Sequence, residues 1–132
     1  MLKPDFTKYD LALVQNDTIV HSETGKGLRP LINCLNKFRT GKYILFDKLF
    51  GLAAAKMIVH RGIITKLVTG TISESALEFL RENKIEVEAD LVVPNILTED
   101  RKEVCMMEKK ALSLSEKEFL IEAEKIFGYE IS

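Results

Sequence analysis

The stretch "FDKLFGLAAAKMIVHRG", Phe46–Gly62, decides the fold. It predicts a helix from about Lys48 to His60 that is apolar on nearly every side, which is typical of a helix buried on all faces. Gly62 ends this helix as a C-terminal glycine. Because Ala53–Ala55 lets other backbones approach closely, we expect the helix to lie against a sheet and under a further element or a second subunit.

Asp47 and Lys48 stand at the predicted start of this helix, directly after the short apolar strand Tyr43–Phe46. Asp47 is an N-cap residue type and can accept a hydrogen bond from a free N–H of the first turn. Lys48 opposes the helix dipole there, and either points to water or helps to bind an anionic ligand. Ligands of open α/β sheets bind beyond the carboxyl ends of strands, where this pair is expected. Capping and ligand contact are both left open.

Before this stretch the sequence predicts a hairpin and a further helix. The hairpin pairs Leu11–Gln15 with Thr18–His21 around Asn16-Asp17. The helix is indicated by apolar residues at helical spacing and by a proline suited to a first turn. These residues are Leu28, Pro30, Leu31, Leu35 and Phe38.

After the central stretch, strands and helices alternate. Strands are predicted at Ile63–Val68 and Ile85–Glu88, with Leu91–Val93 either a further strand or a continuation of the second. Thr71–Glu74 and Ser115–Glu118 have the Ser/Thr-x-x-Glu spacing of a capping box, and each precedes a helical pattern. A hairpin followed by this alternation predicts an α/β fold with a mixed sheet and helices on both faces, a three-layer α-β-α sandwich.

The composition predicts one domain over residues 1–132. Apolar residues are 46% and charged residues 30% of the chain, as in ordinary globular domains. Nineteen basic side chains face twenty acidic ones, a balance that argues against general nucleic-acid binding. No apolar run approaches the ~20 residues of a membrane span, and residues 1–5 contain no apolar signal-peptide core. We therefore expect a cytoplasmic protein without a membrane partner.

Four segments, in this order, resemble a small prokaryotic family of unknown function, domain-of-unknown-function family 1893. They are GLRPLI at 27–32, DKLFGLAAA at 47–55, SESALEFL at 73–80 and CMMEKKAL at 105–112. The resemblance covers roughly Leu11 to Leu112 and implies a cytidine deaminase-like fold, but no activity, because the family has none assigned. Met106 stands where the family has proline, so the turn geometry at Cys105 is expected to differ.

Zinc deaminase chemistry is not expected from this sequence. It requires a His or Cys ligand near an acid–base Glu, together with a Pro-Cys-x-x-Cys turn. The chain has two cysteines, Cys34 and Cys105, and no Cys-x-x-Cys. His21-Ser22-Glu23 matches His-x-Glu, but it lies at the end of the hairpin and not at the start of the buried central helix. We predict no metal and no cofactor.

Cys105 and Glu108 are the candidate catalytic residues. If CMMEKK opens a helix, the dipole lowers the pKa of the Cys105 thiol, and Glu108 lies one turn further on the same face. The alternative is that Cys105 is a small buried apolar residue beside Met106 and Met107.

Two other residues are assigned structural roles. Cys34 falls on an apolar helix face and is predicted to be core. His60 lies at a helix end, where the dipole favours the charged imidazolium.

Two functions remain open, and the chain is not assigned as an enzyme or a non-enzyme. In the first, a small nucleotide-like or anionic ligand binds a deaminase-like sheet without metal, on Asp47, Lys48 and Ser73 beside Cys105 and Glu108. In the second, a non-catalytic homo-oligomer or accessory protein buries the Ala-rich helix face, while Asp47 and Ser73 are caps. A homo-oligomer is expected. The first function requires that several helices begin along one shared edge of the sheet.

Overall fold

The computed structural model describes residues 2–96 and 106–131, and leaves Met1, residues 97–105 and Ser132 undescribed. Its elements are β1 Leu11–Gln15, β2 Thr18–Glu23, α1 Arg29–Lys37, β3 Tyr43–Phe50, α2 Leu52–Arg61, β4 Ile64–Ser73, α3 Glu74–Glu82, β5 Glu86–Val93, α4 Met106–Ser113 and α5 Glu116–Phe127. The predicted α/β class is confirmed, and Leu91–Val93 continues β5. Among these helices none has the length and apolar character needed to cross a membrane.

The sheet is mixed, with strand order β2-β1-β3-β4-β5. β1 is antiparallel to β2 and β3, whereas β3, β4 and β5 are parallel. β2 therefore runs in the same direction as β3. As a result α1, α2 and α3, which follow β2, β3 and β4, all begin at the same edge of the sheet, called here the carboxyl edge.

The predicted hairpin between β1 and β2 is confirmed. Asn16 and Asp17 both have left-handed backbone conformations, with φ of 53° and 57°. Two consecutive left-handed residues give a tight turn whose twist matches that of the strands, and Asn and Asp adopt this conformation more readily than most residues.

The helices lie on one face of the sheet. Leu13, Leu45 and Leu67 are register partners on β1, β3 and β4, and they belong to one apolar cluster with buried residues of all five helices. The opposite face packs Ala12, Val14 and Phe46 against Tyr9 of the N-terminal segment. For the described residues, the predicted three-layer sandwich with helices on both faces is therefore wrong. The connections from β2 to β3, from β3 to β4 and from β4 to β5 all cross the sheet in the same direction. Because such connections are right-handed, their helices all lie on the same face.

The central helix starts later than predicted. β3 extends to Phe50, α2 begins at Leu52, and Gly51 is its N-cap. The strand continues because Leu49 and Phe50 pair with Thr71 and Ile72 of β4. The prediction that the helix is buried on all sides is confirmed, since α4 covers its outer side.

Local signals at helix ends are mostly confirmed. Gly62 and Gly128 end α2 and α5 in the left-handed conformation, with φ of 75° and 72°. Ser115 and Glu118 form the predicted capping box. The box predicted at Thr71–Glu74 is wrong, because β4 continues to Ser73 and that residue is the N-cap of α3.

Candidate functional site

Three polar side chains form a row on the helix-covered face, near the carboxyl edge. Asp47 pairs with Leu11 of β1 and with Thr69 of β4, and Leu11 also pairs with Glu23 of β2. Register partners share a face, so Glu23, Asp47 and Thr69 lie in one line across the sheet. We call these three residues the polar row. Thr69 is buried, and the two acids are half-buried.

Asp47 is a strand residue and not the cap of α2, so the capping prediction for it is wrong. Burial raises the pKa of its carboxyl well above the usual range, the amides of Leu49 and Lys48 oppose this shift, and Asp10 adds to it. Lys48 is exposed, and its amide donates to the carbonyl oxygen of Asp10 at 3.1 Å. Asp47 therefore contributes a half-buried acid near the carboxyl edge, and Lys48 contributes an exposed cation.

The two acids of the polar row lie close to α1. Cys34 on that helix is fully buried, and its pKa is raised to about 12, first by burial and then by the charges of Glu23 and Asp47. The prediction that Cys34 is core is confirmed, and its thiol is held in the unreactive protonated form. Glu23 also pairs with His21 and accepts a hydrogen bond from Asn33.

The start of α1 differs from the starts of α2 and α3. Its N-cap is Leu28, no side chain caps it, and Pro30 lies in its first turn as predicted. Nearby, the amide of Gly25 donates to Asp10 Oδ2 at 2.8 Å. Among the described hydrogen bonds none joins a side chain to the amide of Arg29 or Leu31, and Pro30 between them has no N–H. The dipole makes this helix end attractive to anions.

Ser73 caps α3, which confirms one of the two roles predicted for it. Its fully buried hydroxyl accepts a hydrogen bond from the amide of Ala76 at 3.2 Å. Ser73 lies four residues beyond Thr69 on β4, about 13 Å along the strand at ~3.3 Å per residue. Ser73 is consequently at the carboxyl edge but is not a neighbour of Asp47.

Glu108 on α4 binds the start of α2. Its Oε2 accepts from the amide of Leu52 at 2.8 Å, and its Oε1 accepts from the amide of Ala53 at 2.7 Å. Burial raises the pKa of Glu108, while these two amides and Lys56 oppose that shift. The carboxylate thus fills the position that an anionic ligand would need at α2. Cys105, its predicted catalytic partner, lies outside the described residues.

Sequence reasoning missed Gly51 and Lys56, which complete this contact. A Cβ on Gly51 would lie 2.5 Å from Cδ of Glu108, so only glycine leaves room for the carboxylate. Lys56 Nζ donates to the carbonyl oxygens of Ala111 at 2.6 Å and Leu114 at 3.3 Å, at the end of α4. α2 and α4 therefore cap each other. Two signals in the sequence could have indicated this contact: the glycine before the apolar helix and the single lysine inside it.

No described group of three or more His, Cys, Asp and Glu side chains is arranged to hold a metal ion. What the carboxyl edge does offer is the polar row, the start of α1 and the exposed Lys48. This arrangement can bind polar and charged groups without a metal.

Replacing Asp47 with asparagine is expected to stabilise the protein at neutral pH. Asparagine keeps an oxygen for the two amides and removes the charge that burial disfavours. Because the pKa of Asp47 is raised on folding, wild-type stability falls as pH rises from the unfolded-state value of 3.8 towards the folded-state value. The advantage of Asp47→Asn should therefore shrink to zero as pH falls to 3.8. Thermal unfolding between pH 3.5 and 8 measures it.

Asp90→Asn is the control for this experiment, since Asp90 is an exposed acid on β5. It should change stability by less than about 0.5 kcal/mol at any of these pH values. An Asp47→Asn variant that is less stable than wild type at pH 7 would contradict the prediction.

Comparisons with known proteins agree on one family. Residues 3–127 match the family model TM1506, described as Domain of unknown function (DUF1893). The crystal structure of a DUF1893 family protein (TM1506) from Thermotoga maritima is similar, with a TM-score of 0.82 and 21% identity. The match covers 92% of this chain and 83% of that one. Among curated proteins none matches.

Proposed function

The chain belongs to the DUF1893 family, and with that premise we propose that it binds a small nucleotide-like ligand beside the start of α1. The observation that carries the proposal is the polar row. Two half-buried acids and a buried threonine lie on the face that the helices cover, at the edge where those helices begin. Buried polar side chains are uncommon in a core, and among the described residues only the backbone amides of Lys48 and Leu49 are hydrogen-bonded to the carboxylate of Asp47.

The geometry supports a ligand with two kinds of polar group. Glu23 and Asp47 attract hydrogen-bond donors such as the amino groups of a nucleobase. The first-turn amides of α1 and the ammonium group of Lys48 attract an anion such as a phosphate. A nucleotide-like molecule carries both groups, whereas a simple anion would face the two acids unfavourably.

The proposal also gives a role to each of the remaining predicted site residues. Ser73 and Glu108 fix the starts of α3 and α2 by capping them, and so hold the carboxyl edge rigid. Cys105 and Glu108 remain the proposed catalytic pair. A cytidine deaminase-like fold, a cytoplasmic location and chemistry without metal or other cofactor are parts of the same proposal.

Thermal unfolding in the presence of nucleoside monophosphates tests the proposal. At about 100 times the dissociation constant, a bound nucleotide stabilises the folded protein by about 2.7 kcal/mol. Lys48→Ala should remove most of this shift, because it removes the exposed cation at the edge. Lys125→Ala, an exposed lysine on α5, is the matched control and should retain the shift. No shift with any nucleoside monophosphate at millimolar concentration would refute the proposal.

A second candidate function is a non-catalytic homo-oligomer, and exposed apolar residues at the carboxyl edge favour it. Leu49 and Leu91 are the register partners of Thr71, and their side chains are 52% and 56% exposed. Val92 beside them is 44% exposed. Apolar residues grouped in this way often mark an interface. The Ala-rich face proposed from the sequence is less suitable, because α4 already covers it.

Light scattering coupled to gel filtration tests the oligomer. Leu91→Lys is expected to reduce the measured mass to that of a monomer, because a charge cannot be buried unpaired at the interface. Leu112→Lys, at a residue 51% exposed on α4, should leave the mass unchanged. A wild-type protein that is monomeric up to millimolar concentration would exclude this function.

A further inference from the structure

The two outer strands of the sheet, β2 and β5, each have one side without a strand partner in the described structure. An outer strand presents unpaired N–H and C=O groups along that side, and these groups can pair with a further strand. Because β1 is antiparallel to both β2 and β3, β2 runs in the same direction as β5. The open side of β5 in one copy can therefore lie beside the open side of β2 in another copy, as a parallel pair.

The helices beside these two strands have opposite charge. On the same face of the sheet, α1 contacts β2 and α3 contacts β5. Residues 24–46, which include α1, contain five basic side chains and no acidic one. Residues 74–90, which include α3 and most of β5, contain six acidic side chains and two basic ones. The β2 side of the molecule is consequently basic, and the β5 side is acidic.

The acidic charge of α3 is arranged as a stripe. Its exposed residues Glu74, Glu78 and Glu82 are spaced by four, so they share one face of the helix, and like charges at this spacing destabilise a helix. Arg81 is the one basic residue of α3. No described salt bridge includes any of these four side chains. A basic partner would therefore relieve the repulsion within the stripe.

α1 carries a complementary basic stripe. Arg29 and Lys37 are exposed and eight residues apart on one face, with the exposed Asn33 between them. Arg29 uses one guanidinium nitrogen, Nη1, to donate to the carbonyl oxygen of Phe127 at 3.2 Å. Both α1 and α3 have nine residues and begin at the carboxyl edge. When two copies lie side by side, Lys37 of one copy and Glu82 of the other are thus at the same end of the contact.

The charges favour this arrangement over a symmetric dimer. A contact between two β5 strands would bring two acidic stripes together, and Glu86, Glu88 and Asp90 of β5 would add to the repulsion. A contact between two β2 strands would bring two basic α1 helices together. Of the three ways to join the outer strands, the contact of β5 with β2 of another copy is the one that places opposite charges next to each other.

We propose that copies of this chain associate head to tail, with β5 and α3 of one copy against β2 and α1 of the next. This inference rests on the second candidate function, the homo-oligomer, and names its contact surfaces. The exposed Leu91 and Val92 lie on β5 and belong to this contact. Since every added copy presents another open side, the mass is expected to rise with protein concentration.

Sedimentation velocity at about 50 and about 500 mM NaCl tests the contact in the wild-type protein. Salt screens interactions between exposed charges, so association should be weaker by about tenfold or more at the higher concentration. A protein that is monomeric at both salt concentrations would refute the homo-oligomer and this contact together. An oligomer that salt does not weaken would refute this contact alone.

Charge reversals locate the contact. Lys37→Glu and Glu82→Lys should each weaken association by about tenfold or more, because each brings like charges together. The double variant that combines these two changes should regain most of the wild-type association, since the charges are exchanged and again opposite. Lys109→Glu on α4 and Glu116→Lys on α5 change exposed residues outside the contact and should associate as the wild type does.

The double variant also excludes misfolding as the cause of a loss, because a misfolded protein would not recover when a second reversal is added. Single reversals without effect, controls that weaken association equally, or a double variant that stays dissociated would each overturn the proposal.

Discussion

Replacing Glu108 with alanine is expected to lower the free energy of unfolding by about 4 kcal/mol, because two charge-assisted hydrogen bonds are lost and two buried amides remain unsatisfied. The acceptor atoms lie 2.7 and 2.8 Å from the amides of Ala53 and Leu52, and no other described side chain is hydrogen-bonded to these two amides. The variant also leaves the buried ammonium of Lys56 without its nearby negative charge. Urea unfolding at pH 7, followed by circular dichroism, measures the change.

Two further variants separate the capping role from the loss of a large side chain. Glu108→Gln retains one acceptor oxygen but turns its NH₂ group towards a backbone donor, so it should lie between wild type and alanine. Lys109→Ala changes the neighbouring exposed residue of α4 and should cost less than about 0.5 kcal/mol. If Glu108→Ala were no more destabilising than Lys109→Ala, the cap would not contribute to stability.

The parts of the fold that were predicted correctly depend on residues close together in sequence. The turn at Asn16-Asp17, the glycines at the ends of α2 and α5, and the box of Ser115 and Glu118 all act within one or two turns of chain. Their conformational preferences depend little on distant residues. The alternation of strands and helices is a local pattern of the same kind, so the α/β class followed from it.

The start of α2 was predicted wrongly because it is fixed by distant residues. Asp47 is a good N-cap by type, and nothing within its own turn argues against that role. β4 instead keeps β3 extended to Phe50, and Glu108 supplies the cap from 56 residues away. The face on which the helices lie was likewise decided by the strand order, which the sequence pattern does not contain.

The candidate site shows why cap and ligand contact are difficult to separate by sequence. The free amides that would bind an anion at a helix start are the same groups that a capping side chain binds. Here Ser73 and Glu108 are bound to the amides of α3 and α2, so these two helix starts are occupied by the chain itself. The start of α1 has no such side chain. We therefore place the proposed ligand beside α1, where the polar row also lies.

Replacing Gly51 with alanine is expected to destabilise the protein by about 3 kcal/mol, because the carboxylate of Glu108 must leave its two amides to make room for the methyl group. The backbone of Gly51 has φ of −111° and ψ of −177°, an extended conformation that alanine also adopts. Backbone strain therefore does not contribute. The added Cβ would lie 2.5 Å from Cδ and 2.8 Å from Oε2 of Glu108, well inside contact distance.

A double-mutant cycle distinguishes this cause from a general intolerance of alanine at the N-cap. If the methyl group acts only by displacing the carboxylate, Gly51→Ala should cost less than about 0.5 kcal/mol once Glu108→Ala is present. The two changes would then be strongly non-additive, and the double variant would be about as stable as Glu108→Ala alone. Equal costs of Gly51→Ala in the two backgrounds would mean that the glycine serves another purpose. Chemical denaturation of the four proteins at pH 7 measures the cycle directly, since residues in direct contact are where such coupling is expected.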